Sequence, residues 1–232
     1  MAPELERGAT IFDRKAAEII AGSRANRMTG SSDPASNRLR DAALLAVQQA
    51  TRRGLPPQMW SKTFESWEKT SEMTTAYNAV QKLVSTSPGN PLVLLTGLYG
   101  IGKTHLMYAA CNKCREMKWP YKFIRTVDLM NEIKGAISES KRNPEAWPPE
   151  RIIASYQGDF LLCLDDFGKH QATEYADASI FDIIDARYAL ARPTIITTNM
   201  NPERFMDGAI FSRLKPGMVH CGGKDQRERF ES

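Results

Sequence analysis

The segment Gly97-Leu-Tyr-Gly-Ile-Gly-Lys-Thr104 constrains this chain more than any other, because it fits G-x-x-x-x-G-K-[ST] directly after the apolar run Leu92-Val-Leu-Leu95. A glycine-rich turn between a strand and a helix can point successive backbone N–H groups at one anion, and glycines at 97, 100 and 102 permit the turns this requires. Lys103 then brings a positive charge toward the β- and γ-phosphates, the Thr104 hydroxyl is placed to ligate Mg²⁺, and the following helix offers its positive N-terminus. The candidate nucleotide contacts are Gly97, Tyr99, Gly100, Ile101, Gly102, Lys103, Thr104 and His105, and the cofactors expected are ATP and Mg²⁺.

About sixty residues on, Phe160-Leu-Leu-Cys-Leu164 reads as a buried parallel strand with Asp165-Asp166 at its carboxyl end, where an open α/β sheet puts its ligand chemistry. Asp165 is a candidate Mg²⁺ ligand with Thr104, and Asp166 a candidate to orient or deprotonate the attacking water. Taken alone, Asp-Asp-Phe-Gly is equally a solvated turn closing a strand. The upstream loop tips the balance toward function.

A length of 232 residues with 42% apolar residues suits one ordinary domain with a modest extension. No apolar stretch approaches the ~20 residues of a membrane span, and Met1-Ala-Pro-Glu-Leu-Glu6 is unlike a secretory signal, so the cytoplasm is expected. Four cysteines, at 111, 114, 163 and 221, are too few for a disulfide framework. Cys111-Asn-Lys-Cys114 has the spacing of half a zinc site, but the second pair is missing. The net charge of +4 tolerates a polyanion without demanding one. Basic residues gather at Arg24 and Arg27, Arg38 and Arg40, Arg52 and Arg53, Lys141 and Arg142, and Lys224, Arg227 and Arg229. Any single pair reads equally as a solvated face.

The first forty residues end in the turn-rich cluster Thr29 to Asn37, where partial disorder is expected, with helices at about 13–21 and 39–52. A third helix is expected from Ser71 or Thr74 to Val84. Strands and helices then alternate, which implies a parallel sheet: strands at 92–96, 121–126, 160–164, 194–198 and 218–221, helices at 103–117, 127–138, 149–156 and 176–191. Ser138 to Pro149 reads as an exposed loop. Asn199, at the end of Thr194-Ile-Ile-Thr-Thr198, would lie beside the Asp165 strand and within reach of the γ-phosphate or its water, or simply form a turn. Arg213, in Ile210-Phe-Ser-Arg-Leu214, is either a surface residue with a packed stem or a finger for a neighbouring subunit's nucleotide.

GIGKTHL at 100–106, FLLCLDDFG at 160–168, FDIIDARY at 181–188, PTIITTN at 193–199 and FSRL at 211–214 together resemble the AAA+ ATPases of the DnaC/DnaI helicase-loader and IstB transposition-helper group. The resemblance spans about residues 60–227. It implies an α/β fold, a P-loop AAA+ core whose parallel sheet is flanked by helices, with a short helical N-terminal extension and little or no C-terminal lid. By this likeness Lys103 and Thr104 are Walker A, Asp165 and Asp166 Walker B, Asn199 sensor 1 and Arg213 a trans-acting arginine finger, while Thr63-Phe64-Glu65 lies near the base. No residue is assigned to sensor 2. Residues 1–58 are expected to form the extension that docks a partner, and 59–232 the ATPase domain.

The leading expectation is an ATP-dependent loader that places a hexameric replicative DNA helicase on single-stranded DNA, self-associating through its ATP sites, with Lys134, Lys141 and Arg142 contacting phosphates. The alternative is a transposition helper of the IstB kind, binding duplex DNA and a transposase. A small-molecule P-loop kinase would need an acceptor-binding lid that the sequence does not show. A nucleotide-bound scaffold would not need Lys103, Asp165 and Asp166 together.

Overall fold

The computed structural model describes residues 55, 57–67, 70–85, 91–143, 145–169, 173–223 and 225. The helices expected at 13–21 and 39–52 lie outside the described residues, as does nearly all of the 1–58 extension. Five parallel strands, β1 (Leu92–Thr96), β2 (Tyr121–Arg125), β3 (Leu161–Asp165), β4 (Thr194–Thr198) and β5 (Met218–His220), form one sheet in the order β2-β3-β4-β1-β5. Seven α-helices accompany them among the described residues: α1 (Thr74–Ser85), α2 (Lys103–Glu116), α3 (Thr126–Ser140), α4 (Pro149–Ser155), α5 (Glu174–Ala189), α6 (Pro202–Phe205) and α7 (Gly208–Leu214).

The strands are apolar on both faces, and strand periodicity divides them between two cores. Val93, Leu95, Leu161, Cys163 and Ile195 pack with α1 and α2. Their neighbours Leu92, Leu94, Leu162, Leu164 and Ile196 pack with α3, α4, α5 and α7. With both faces covered, the carboxyl ends of the three central strands are left as the place where polar side chains can gather. The register sets Thr96 against Thr198 and Arg125 against Asp165, so the ends of β1, β3 and β4 converge.

The helix bounds differ from expectation by a turn or less, and two differences have physical causes. Helix α3 runs on through Ser140, because Ser138 and Ser140 return their hydroxyls to the carbonyls of Lys134 and Ile137 instead of breaking the helix. Helix α6 had no apolar periodicity to betray it; Asn201 caps it by accepting from the Glu203 N–H, and Pro202 starts it. All four cysteines are buried and free, and Cys111 and Cys114 pack into the core from α2. Among the described residues no helix is long and apolar enough to cross a membrane.

Candidate nucleotide-binding site

A cavity of about 630 Å³ opens at the carboxyl ends of β1, β3 and β4, and Tyr99, Gly100, Ile101, Gly102, Lys103, Thr104, His105, Asp165, Asp166 and Asn199 all line it. These are residues from three separate stretches of sequence, joined by the convergence of strand ends. Gly97 and Arg213 are not among the lining residues. The Gly97 carbonyl instead accepts from Lys103 Nζ at 2.7 Å.

Lys103 is buried, and its ammonium donates to three oxygens: Gly97 O, Leu98 O at 2.6 Å and Asn199 Oδ1 at 2.7 Å. Burial pulls its pKa down, while the Asp165 and Asp166 carboxylates pull it back up and the Lys169 charge adds to the lowering. An ammonium satisfied by three exchangeable oxygens is ready to accept phosphate oxygens in their place. Asn199 joins the two halves of the site, since its Nδ2 donates to Asp166 Oδ1 at 3.0 Å while its Oδ1 receives Lys103.

Asp165 sits deeper. The Thr104 hydroxyl donates to its Oδ1 at 3.1 Å, and the Thr197 hydroxyl donates to the same oxygen. Burial raises the Asp165 pKa, with the Thr197 hydrogen bond opposing that rise. A buried carboxylate beside a threonine hydroxyl is the hard-oxygen pair that Mg²⁺ prefers, so the donor set fits that ion. Asp166 takes φ of +56°, a left-handed conformation that non-glycine residues rarely adopt, and its N–H is held by Thr197 Oγ1 at 3.1 Å. The β3 to α5 connection therefore turns sharply at its functional end.

Much of the rest of the cavity is walled by residues of the segment before α1. Met59, Lys62, Ser66, Trp67, Thr70 and Met73 line it. Trp67 meets His105 edge to face, with centroids 4.8 Å apart. Trp67 Nε1 and His105 Nε2 are buried with no hydrogen-bond partner among the described residues, a costly condition that a polar ligand would relieve. Burial and the nearby Lys62 charge push the His105 pKa down to about 4, so the imidazole is neutral at physiological pH. Gly102, at φ +100°, passes so close to Trp67 that a Cβ there would lie 2.3 Å from the indole ring. Thr63, Phe64 and Glu65 do not themselves line the cavity, and Phe64 turns into the core against Tyr77, with ring centroids 5.4 Å apart. Their neighbours Lys62, Ser66 and Trp67 occupy that wall instead.

Arg213 lies on α7, against α5. Its Nε donates to Asp185 Oδ1, its NH1 to Ala209 O at 2.9 Å, and its guanidinium stands 4.7 Å from the Phe181 ring centroid. Lys134, Lys141 and Arg142 are all exposed, on and just beyond the end of α3 in the helical insertion between β2 and β3. Three residues with direct roles in this geometry escaped sequence reasoning: Trp67, Thr197 and Lys169. Thr197 stands two residues before Asn199 near the end of β4, and its hydroxyl reaches Asp165.

The sequence pattern of the IstB-like ATP binding protein family matches residues 45–211, most of the chain. The chain belongs to this family. It shares the AAA+ P-loop fold, a parallel five-stranded sheet flanked by helices. Relatives of this IstB-like chain include the replicative helicase loader DnaC of Escherichia coli K12, 25% identical over 171 residues that cover 72% of this chain and 68% of DnaC. The chromosomal replication initiator protein DnaA of Oenococcus oeni is 28% identical over 170 residues, 66% of this chain. The match spans 36% of that initiator's length. Among solved structures, replication initiator DnaA bound to AMPPCP and single-stranded DNA superposes with a TM-score of 0.64 at 20% identity, covering 76% of this chain and 56% of the other.

Proposed function

We propose that this chain is a cytoplasmic ATPase that loads a hexameric replicative DNA helicase onto single-stranded DNA. The observation that carries the ATPase reading is the meeting of Lys103, Thr104, Asp165, Asp166 and Asn199 in one cavity that Trp67 and Met73 also line. The loader reading rests on the similarity to DnaC, which runs over most of both chains.

In this mechanism ATP enters with its base between Trp67 and Met73 and its phosphates in the Gly100 to Thr104 loop. Lys103 exchanges its three oxygen acceptors for β- and γ-phosphate oxygens, a trade of neutral acceptors for charged ones that strengthens each bond. Thr104 and Asp165 would hold Mg²⁺, which neutralises phosphate charge when bound. Asn199, released by Lys103, keeps Asp166 oriented, and Asp166 receives the proton of the attacking water. Arg213 pairs with Asp185 and does not line its own cavity, and it serves instead the site of an adjacent subunit. Lys134, Lys141 and Arg142 contact the phosphates of the strand, and the extension at residues 1–58 docks the helicase.

A second reading, a transposition helper that binds duplex DNA and a transposase, draws support from the family match itself. Affinity capture of the Asp166→Asn protein from its native cell extract with ATP present separates the two. Recovery of a hexameric helicase supports loading. Recovery of a transposase with no helicase overturns it and moves the same ATPase core into transposition.

A further inference from the structure

The turn that follows Asp166 brings a lysine back into the site. Phe167 is buried, its N–H donates to Thr197 O at 2.8 Å, and its carbonyl accepts from Thr198 Oγ1 at 2.8 Å, so the turn is riveted to the end of β4. Asp166 at φ +56° and Gly168 at φ +94° then reverse the chain, and the Lys169 N–H returns to Asp166 O at 3.3 Å. As a result Lys169 lines the nucleotide cavity, with Nζ 2.8 Å from Asp166 Oδ2 and 4.9 Å from the centroid of Tyr99 in the phosphate loop. Its charge is felt by Lys103 across the cavity.

This arrangement makes Asp166 a carboxylate with both oxygens in use: Asn199 Nδ2 on Oδ1 and Lys169 Nζ on Oδ2. A carboxylate engaged by a donor on each oxygen has fewer lone pairs left to receive an incoming water than one left free. The side chains of Lys169 and Asp166 are 36% and 33% exposed, so the pair is partly wet and weak enough to exchange. A γ-phosphate bound beside Asp166 carries more negative charge than one carboxylate and competes for the same cation.

Resting on the reading of this cavity as an ATP site, we propose that Lys169 is a cis-acting sensor of the γ-phosphate that masks Asp166 in the resting site and releases it when a nucleoside triphosphate binds. The ammonium swings from Asp166 Oδ2 to a γ-phosphate oxygen, with the Tyr99 ring beside its path as a cation-binding face. No bond is made or broken and no proton moves in this step. A nucleoside diphosphate offers nothing for the ammonium to reach, so Lys169 contributes to discrimination between ATP and ADP, where Lys103 contributes to binding of both.

The test is equilibrium binding of ATP and ADP, each with Mg²⁺, to the full chain and to Lys169→Met, Lys169→Arg and Lys103→Ala, with circular dichroism confirming that each variant is folded. Lys169→Met is expected to weaken ATP binding about tenfold while leaving ADP within about twofold, as loss of one charge-assisted contact implies. Lys169→Arg, which keeps the charge, should restore most of the preference. Equal loss for both nucleotides, or no loss for either, overturns the sensor role. Failure of the unaltered protein to bind ATP at all, or binding indifferent to Lys103→Ala, would instead sink the ATP-site reading and the sensor with it, so the two failures are told apart.

Discussion

Lys103 and Asp166 serve different halves of the proposed reaction although Asn199 touches both. Lys103→Ala removes a buried cation that only phosphate would replace its present partners for, and ATP binding should weaken by about 10- to 100-fold, in line with one or two charge-assisted hydrogen bonds. Asp166→Asn is isosteric and keeps an acceptor for Asn199, so ATP affinity should change by no more than about threefold while turnover falls by about 10²-fold or more. Titration calorimetry beside a phosphate-release assay reads both; an Asp166→Asn protein that turns over at the parent rate would remove Asp166 from the chemistry. His105 makes a second residue-scale claim. Its folded-state pKa of about 4 lies below the ordinary 6.5, so as pH falls the unfolded chain takes up the proton first. The stability tied to neutral His105 is therefore complete above about 6.5 and is lost as pH drops toward about 4. In chemical denaturation across that window, His105→Gln should show a shallower decline than the parent, and identical slopes would refute the burial of a neutral imidazole.

Elements in this fold are held by one side chain that sequence reading quoted but did not interpret. Arg187 on α5 is fully buried, and it donates to Tyr156 O, Gly158 O and Phe160 O at the entry to β3, and to Pro193 O and Thr194 Oγ1 at the entry to β4. No periodicity marks such a role, because an arginine in a helix usually signals an exposed face. Arg187→Leu would remove the shared donor of four carbonyls and a hydroxyl, of which Pro193 O and Gly158 O keep the Leu162 and Phe160 N–H groups and the Thr194 hydroxyl keeps Arg192 O, and we expect a loss of about 3–5 kcal/mol in unfolding free energy, measured by urea titration. A loss under ~1 kcal/mol would mean that water or repacking satisfies those oxygens. What the sequence did disclose follows the same logic. The five strands are short apolar runs bounded by turn chemistry, and the phosphate loop is a rigid spacing of residue types, so both are written locally. The base-side wall is not, since Trp67 reaches Gly102 and His105 from 35 and 38 positions away by packing alone. Lys169 was equally hidden, for a lysine after a turn reads as solvated until the turn's direction is known. At the surface, the insertion formed by α3 and α4 carries Lys134, Lys141 and Arg142. Replacing all three by Ala should lower the salt dependence of single-strand binding by about 2 in logarithmic slope, at about 0.7 per phosphate contact. An unchanged slope would send the strand elsewhere.

At the scale of the whole molecule, the trans-acting role proposed for Arg213 turns on where that arginine stands. The polar groups around the proposed γ-phosphate position come from the ends of β1, β3 and β4 and from the loops and the α2 start that follow them, while Arg213 is not among the cavity's lining residues and is held by Asp185 and Phe181. Held in that way, Arg213 lies on the flank formed by α5 and α7 and not in the wall of its own cavity. A head-to-tail assembly of identical chains would set this flank against the cavity of the next subunit, and each site would then be built from two chains. Arg213→Ala should therefore bind ATP as the parent does and lose most turnover under assembled conditions. Mixing supplies the decisive measurement. In an equal mixture of Arg213→Ala and Asp166→Asn chains, intact Asp166 sits only on the former and intact Arg213 only on the latter. Random assortment makes about a quarter of the interfaces complete, so turnover should recover to about that fraction of the parent value. Two inactive proteins that stay inactive after mixing, while light scattering shows them co-assembled, would mean that Arg213 acts within its own chain or not at all. Recovery would establish that catalysis and assembly are one event, in which the subunit interface itself completes the site.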